Sequence, residues 1–436
     1  MSEAWPTNLC MATEPISLVV RAAALLHANG QTTQRVVSET TRLGAALGLN
    51  VQVLPQWDAI FVRYQWAGVD PSSTWIEDVI SVKPTGVDMN KVYRITTWID
   101  RLASRNESVT ANQLADLDQE LKSIAALDPS SNLRFVLMAG LGASALGLIF
   151  GVANLTTLVL IFGAAVIGAL ARRLLSRMTD NLYIQPFSAA LMAGLVGGIA
   201  QHLLDGAELQ FVDIAPCMIL VPGAHILNAS LDMARGRIGL GWARLTYCAL
   251  ILMSICTGLL VGLMLVDASL AQGMVSAKVP LWLDIVSAGI AVSAFGAFFS
   301  LPWRILIAPI VVGMICHACR WWVLEQGQGV VLGAFVACLI AGTATALLAR
   351  RLKLPFAALA FSAVVSMMPG IFVFKLASGL ITVYLAGDQA TLAMLTSLFA
   401  HGTATFLIVM VMTFGLIFPK MLIDGWLGPD TCNHNK

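Results

Sequence analysis

Two short strings place a helix breaker ahead of polar side chains in otherwise apolar sequence. In "LVPGAHILNASLDMARGRIG", Pro222 and Gly223 precede His225, Asn228 and Asp232. Spacings of three and four residues put those three on one helical face. In "MMPGIFVFK", Pro369 and Gly370 precede Lys375, and Asn228 and Lys375 each lie six residues after their proline. Proline removes a backbone donor and clashes with the preceding turn, while glycine permits a bend or a close approach. A freed backbone carbonyl in lipid costs roughly several kcal/mol, so such breaks persist where protein or a wet cavity satisfies them. The chemistry on offer is solute binding. Helix N-termini and Lys375 would hold an anionic group, and Asn228, Asp232 and freed carbonyls a cationic one.

A coupling proton would need a titratable carrier. His225, Asp232 and His401 are the candidates, imidazole having an ordinary pKa of about 6.5. Each also has a bland reading. Asp232 could instead pair with Arg235 or Arg237 at the interface, Lys375 could snorkel to a membrane surface, and His401, beside Thr403 and Thr405, could be interhelical hydrogen-bond glue. His202, Asp284, Arg304 and His317 fall near expected span ends and read as interfacial. "CHAC" (316–319) has the spacing of a metal pair but no second pair, so no metal and no cofactor are expected.

The elements that must position these residues are mostly membrane helices. The 436 residues are 58% hydrophobic and 12% charged, with a mean hydropathy of +0.79, where soluble domains carry about 25% charge. Residues 1–133 hold 24 of the 51 charged residues, which marks off a water-soluble part. That part reads as a small α/β domain: two amphipathic helices over 16–48, strand-like runs "VQVLP", "DAIFVRYQW" and "WIEDVISVK", then helices near 88–105 and 110–127. "LDPSSN" (127–132) reads as the hinge. The polar stretch "ANGQTTQRVVSETTRL" could gate a mouth, but a surface helix with Arg35, Glu39 and Arg42 as face pairs is the favoured expectation.

After Arg134, about 20 apolar residues are needed per crossing. Spans are expected near 134–151, 154–171, 186–203, 213–233 and 243–266, then 281–300, 302–320, 329–349, 355–382 and 390–418. With the soluble part cytoplasmic, 13 of the 16 Lys and Arg after residue 133 fall on that side, a positive-inside pattern with both termini in the cytoplasm. "MSEAWPTNLC" lacks a basic n-region, so no signal peptide is expected. The matched Pro-Gly pairs fall in the fourth span of each set of five. Five is odd, so the second set enters from the opposite face, which is an inverted-topology repeat. The expected division is 1–130, 131–270 and 271–436.

Several classes lack their signatures. No G-x-x-x-x-G-K-[ST] loop for a pump and no H-E-x-x-H for a zinc protease occur. Fourteen acidic against ten basic residues in 1–133 speak against nucleic-acid binding. A passive channel or scaffold remains as an alternative to alternating access.

"LLHANGQTTQRVVSETTRLGAALGL", "LVPGAHILNASLDMARGRIGLGWARL" and "VSMMPGIFVFKLASGL" together resemble the threonine/serine exporter family, across essentially the whole chain and in one polypeptide. The resemblance implies a plasma-membrane exporter of small polar metabolites, driven by protons, with L-threonine and L-serine as substrates. Split relatives imply C4-dicarboxylates such as succinate as the alternative. It assigns motif positions to Pro222, Gly223, Asn228, Asp232, Pro369 and Gly370, with Lys375 following the second motif. The expected partners are a small solute, protons and the bilayer, with a homo-oligomer compatible.

Overall fold

The computed structural model describes residues 14–69, 74–104, 110–270, 278–352 and 356–427. The stretch Met1–Cys10, Cys432 and the Lys353 of the basic run lie outside the described residues. The soluble part opens with helices α1 (Pro15–Ala28) and α2 (Thr33–Ala46). Gly30, at φ +87°, turns the chain between them, and a side chain there would press on the Gly86 carbonyl. Three antiparallel strands follow in the order β1 (Leu49–Pro55), β2 (Ala59–Trp66) and β3 (Ile76–Ser81). Along β1, Leu49, Val51 and Val53 are buried and alternate with exposed neighbours, as a half-covered strand requires. Helix α3 (Met89–Ala103) is capped by Asp88, whose carboxylate accepts from the Asn90 and Lys91 amides. Helix α4 (Ala111–Ala125) carries a capping box between Thr110 and Gln113.

The core of this part, with Leu26, Val36, Leu43, Val62, Trp98 and Ile99, also includes Leu301, Leu306 and Ala358 from the second half of the chain. The N-terminal elements therefore sit directly on the apolar helices. The expected hinge at 127–132 is tied down: Ser130 donates to the Ala297 carbonyl at 2.7 Å, and Arg173 donates to the Ser130 carbonyl at 3.0 Å. Arg134 donates to the Leu301 carbonyl at 2.8 Å and stacks on Trp303.

Nine described helices are long and apolar enough to cross a membrane, ten if one bent pair counts as a span. The first set is α5 (Asn132–Ile149), α6 (Leu155–Leu175), α7 (Ile184–Leu203), the bent pair α8 (Gln210–Met218) and α9 (Gly223–Ala234), and α10 (Ile238–Met264). The second is α11 (Leu281–Phe298), α12 (Trp303–Glu325), α13 (Val330–Leu352), the short α14 (Phe356–Val364) followed by α15 (Gly370–Ala386), and α16 (Leu392–Leu427). The expected single span 355–382 is divided. Its apolar first half ends at Met367 and the crossing segment is Gly370–Gln389, because Pro369 cannot continue a helix.

The same helix pairs pack in both sets: first on second, second on third, third on fifth, and fourth on third and fifth. The third-on-fifth contact is a glycine contact each time. A methyl at Gly194 of α7 would lie 3.0 Å from the Leu263 amide of α10, and one at Gly342 of α13 would lie 2.7 Å from the Gly415 carbonyl of α16. Small residues let membrane helices approach backbone to backbone, which is how such bundles cohere without a hydrophobic driving force. Helices α5 and α11, first in each set, pack on each other.

Candidate functional site

Both Pro-Gly pairs are true breaks with the same local geometry. Pro222 has φ −81° and ψ 55°, and Pro369 has φ −77° and ψ 38°. At each, the glycine amide turns back to the carbonyl two residues earlier: Gly223 to Val221 at 2.9 Å and Gly370 to Met368 at 2.8 Å. That is an inverse γ-turn centred on proline, and it opens a new helix at the glycine.

The two breaks are packed crosswise. Helix α9, after the first break, lies on α14, before the second, while α15 lies on α8. A methyl on Gly223 would run into the Phe361 ring of α14. A methyl on Gly370 would come within 2.8 Å of Met218 in α8. Each glycine thus seats the half-helix that precedes the other break.

On the side that carries the soluble elements, Asn228 and Asp232 are buried and met by the turn between α1 and α2. Asn228 Nδ2 donates to the Gly30 carbonyl at 3.2 Å, and Thr33 Oγ1 donates to Asp232 Oδ2 at 2.9 Å. Asp232 also faces Arg244 Nε at 3.2 Å and Arg237 Nη1 at 3.7 Å. Arg244 comes from α10 and is 0% exposed. His225 stands edge-on to Tyr247 at 5.5 Å, and Tyr247 meets Trp57 at 5.3 Å. His27 Nε2 lies 3.0 Å from the Gln56 carbonyl. Burial, then the nearby Arg244 charge, push the His27 pKa down to about 3. His27 Nδ1, Gln31 Nε2, His225 Nδ1, Asn228 Oδ1 and both Arg244 Nη atoms are buried without a hydrogen-bond partner. Buried polar atoms are nearly always bonded, so this cluster offers donors and acceptors to a polar solute.

The expected surface helix at 33–46 is overturned. Gln31, Thr33, Arg35, Glu39 and Thr40 are all buried, because α2 is covered by α1, β1 and α3, while its first turn reaches Asp232 and Arg237 through Thr33 and Gln34. The Arg42–Glu39 face pair is present at 2.8 Å, and Arg42 also reaches Asp100 at 2.8 Å. Thr32 stands at the N-cap of α2 but makes no side-chain cap bond.

Beyond the second break lies a cavity of about 120 Å³ lined by Gln210, Phe211, Arg320, Ser366, Pro369 and Lys375 among others. Lys375 is 0% exposed, which rules out snorkelling, and it is close enough to Asp213 of α8 for their charges to interact. Asp213 is fully buried and accepts from Gln201 at 3.1 Å. Asp284 and His317, read from sequence as interfacial, are buried deep in the bundle: His317 Nδ1 bonds Asp284 Oδ2 at 2.9 Å, and its Nε2 bonds Ser366. Their place near span ends hid them, because the covering comes from the non-adjacent 365–367 turn. His202 and Arg304 are exposed. His401 is half-buried on α16 beside Phe372, which lines the cavity, with Ser397 at 3.4 Å and Lys375 within charge-interaction range. The six described cysteines are unpaired, and among the described residues no group of side chains could hold a metal.

Two broken helices packed crosswise in a polytopic bundle, one of them beside a cavity, form an arrangement that membrane transporters use. Residues 17–266 match the family described as putative threonine/serine exporter, and residues 284–422 match the family described as Threonine/Serine exporter, ThrE; the chain belongs to this threonine/serine exporter family, with both halves in one polypeptide. It is similar to the probable succinate transporter subunit YjjP of Klebsiella aerogenes, at 24% identity over 250 residues, covering 56% of this chain and 92% of that protein. No solved structure matches. The names of the family and of this relative are those of transporters, not enzymes.

Proposed function

We propose that this chain is a secondary active exporter of L-threonine and L-serine, coupled to protons, in the plasma membrane with both termini cytoplasmic. The observation that carries the proposal is the crossed packing of the two Pro-Gly breaks, Gly223 on Phe361 and Gly370 on Met218, with a buried polar cluster beyond the first and a cavity beyond the second. Matching helix pairs in the two sets of five support an inverted repeat, and a pseudo-two-fold axis between the breaks would exchange the pocket at Asn228 with the one at Lys375. In the conformation described, Gly30 and Thr33 are bonded to Asn228 and Asp232, while the cavity lies at the second break. Alternating access would exchange those conditions.

For a zwitterion, Lys375, Arg320 and the α15 N-terminus supply donors to the carboxylate, and Ser366, Gln210 and Asp213 supply acceptors for the ammonium. A second reading, export of a C4-dicarboxylate, draws on one observation: Lys375 and Arg320 both line the cavity, giving the two cationic centres that such a solute needs. The similarity to a named succinate transporter subunit supports the same reading.

Counterflow tests both. Proteoliposomes of the purified chain, loaded in parallel with unlabelled threonine or unlabelled succinate, are offered labelled threonine, serine or succinate. Mutual competition of threonine and serine, lost in Asn228→Ala and Lys375→Met, is the expected result. Accumulation of succinate alone moves the chain to dicarboxylates, and no counterflow of any solute refutes both readings.

A further inference from the structure

Three polar side chains from three separate segments form a hydrogen-bonded line in the bundle interior. Asp284 comes from α11, His317 from α12 and Ser366 from the turn that leads into the second break. His317 Nδ1 lies 2.9 Å from Asp284 Oδ2, its Nε2 is bonded to Ser366 Oγ, and His317 is 0% exposed. Ser366 is also part of the wall of the cavity that Lys375 and Arg320 line. The line therefore runs from the cavity into the protein and ends on a buried carboxylate.

An interior imidazole between a carboxylate and a hydroxyl is tautomerically fixed. The carboxylate accepts from Nδ1–H, which leaves the Nε2 lone pair to accept from the Ser366 hydroxyl. Such an array is expensive to bury as mere packing, because apolar residues of like size would fill the space without desolvating a charge. An ionisable group inside a membrane segment is a functional hypothesis by default.

We propose that His317 is the residue that takes up and releases the coupling proton, with Ser366 as its contact to the cavity and Asp284 as its positioning residue. The proposal rests on the proton-coupled transport reading above. A proton arriving from the cavity bonds to Ser366 Oγ as the serine hydrogen passes to His317 Nε2. The serine ends as a neutral hydroxyl, the imidazole as imidazolium, and the new positive charge faces the Asp284 carboxylate. Release runs the same steps backwards. The charged and titratable groups around His317 are Asp284 from α11, Ser366 from the turn after α14, and Arg320 one turn along α12 itself. From α13 comes the Cys338 thiol beside Cys316, and Lys375 of α15 stands across the cavity. Arg320 opposes the imidazolium and Asp284 favours it. A solute carboxylate near Arg320 shifts that balance, which is what links the proton to the cargo.

The test separates exchange from drive. In proteoliposomes, counterflow of threonine needs no net proton movement, whereas net flux under an imposed pH gradient does. His317→Gln is expected to keep counterflow within about threefold of wild type while its gradient-driven flux falls at least about tenfold, the scale of a lost proton-transfer group. Gradient-driven flux at the wild-type level in that variant would overturn the proposal. Asp284→Asn should move the pH midpoint of the driven flux without abolishing counterflow; an unchanged midpoint counts against its positioning role. A readout independent of the solute is ¹⁵N spectra of labelled histidines. The His317 signal is identified by its loss in His317→Gln or, where that chain does not fold, by its displacement in Ser366→Ala. It should report the gain of a proton as the pH is lowered, and a signal fixed in one state at every pH at which the chain stays folded refutes the relay. If wild type carries neither threonine, serine nor succinate, the transport reading falls and the spectra alone decide the fate of His317.

Discussion

Removing the Asp232 carboxylate should cost far more stability than its single charge suggests. Arg244 has no exposed surface, and its Nε faces Asp232 Oδ2 at 3.2 Å. Both of its Nη atoms are buried without a hydrogen-bond partner, so Asp232 is the negative charge that balances it. Asp232→Ala leaves that guanidinium buried and uncompensated, a loss of about 3–5 kcal/mol. The Thr33 hydroxyl loses its acceptor in the same step, and because it shares the carboxylate the two losses do not add. Arg244→Met is milder. The carboxylate it leaves behind keeps Thr33 at 2.9 Å and Arg237 at 3.7 Å. The double variant Asp232→Ala/Arg244→Met removes both buried charges, and is expected to recover about 0.5–3 kcal/mol relative to the sum of the singles. Thermal unfolding of the detergent-solubilised chain reads the series. At about 2 °C per kcal/mol for a chain of this size, Asp232→Ala should melt roughly 5–10 °C below wild type, with the double variant above Asp232→Ala. An Asp232→Ala chain as stable as wild type, or a double variant that melts at the sum of the singles, would refute the balance of charge drawn here.

Gly223→Val should destabilise by about 1–3 kcal/mol through overlap with Phe361, and Phe361→Ala in the same chain should restore part of the loss; melting that shows no coupling would dissociate the two breaks. His27 should give the fold an acid limb. Its pKa is held near 3 when folded against an ordinary 6.5, so below pH 6.5 the unfolded chain binds a proton that the folded chain refuses. Stability is then full above about pH 6.5 and is lost as pH falls from there towards 3. Between pH 7 and 5, His27→Gln should melt with a shallower pH slope than wild type, and equal slopes would contradict the assignment. Gln34 and Arg237 side chains meet at 2.8 Å across the junction of α2 and the α9–α10 turn. A disulfide between cysteines placed at both positions should stop counterflow, with reductant restoring it; transport at full rate in the oxidised chain would show that the soluble part does not move away.

Hydropathy made most of the bundle legible, because a lipid-facing helix must be apolar along its length whatever its partners. The two breaks were legible too, since proline acts locally and no tertiary contact can supply its missing amide. What stayed hidden depends on contacts distant in sequence. Asp284 and His317 are 33 residues apart on different helices, and each near a span end looks interfacial until Ser366, 49 residues beyond His317, covers the pair. Arg244 read as one more near-side cation, because nothing in "GWARL" says that α10 turns it inward to Asp232. The α2 polar face deceived for the opposite reason. A stripe of Thr, Arg and Glu normally faces water, and here it is covered by neighbouring elements, with Arg42 paired to Glu39 and to Asp100 of α3.

That burial has a consequence for how the first pocket closes. The groups the chain presents to Asn228 and Asp232 are a backbone carbonyl from Gly30 and a hydroxyl from Thr33. They offer an acceptor to the amide and a donor to the carboxylate, which is the pattern that a small hydroxylated amino acid would offer with its own carboxylate and hydroxyl. On the transport reading proposed above, closure by such a turn would cost little to undo when a solute arrives, because each bond released can be replaced by one of the same kind. A purely apolar plug would leave Asn228, Asp232 and Arg244 facing hydrocarbon, at the cost of desolvating a charge with nothing in return. The turn between α1 and α2 thus meets these buried groups on polar terms, through Gly30 and Thr33.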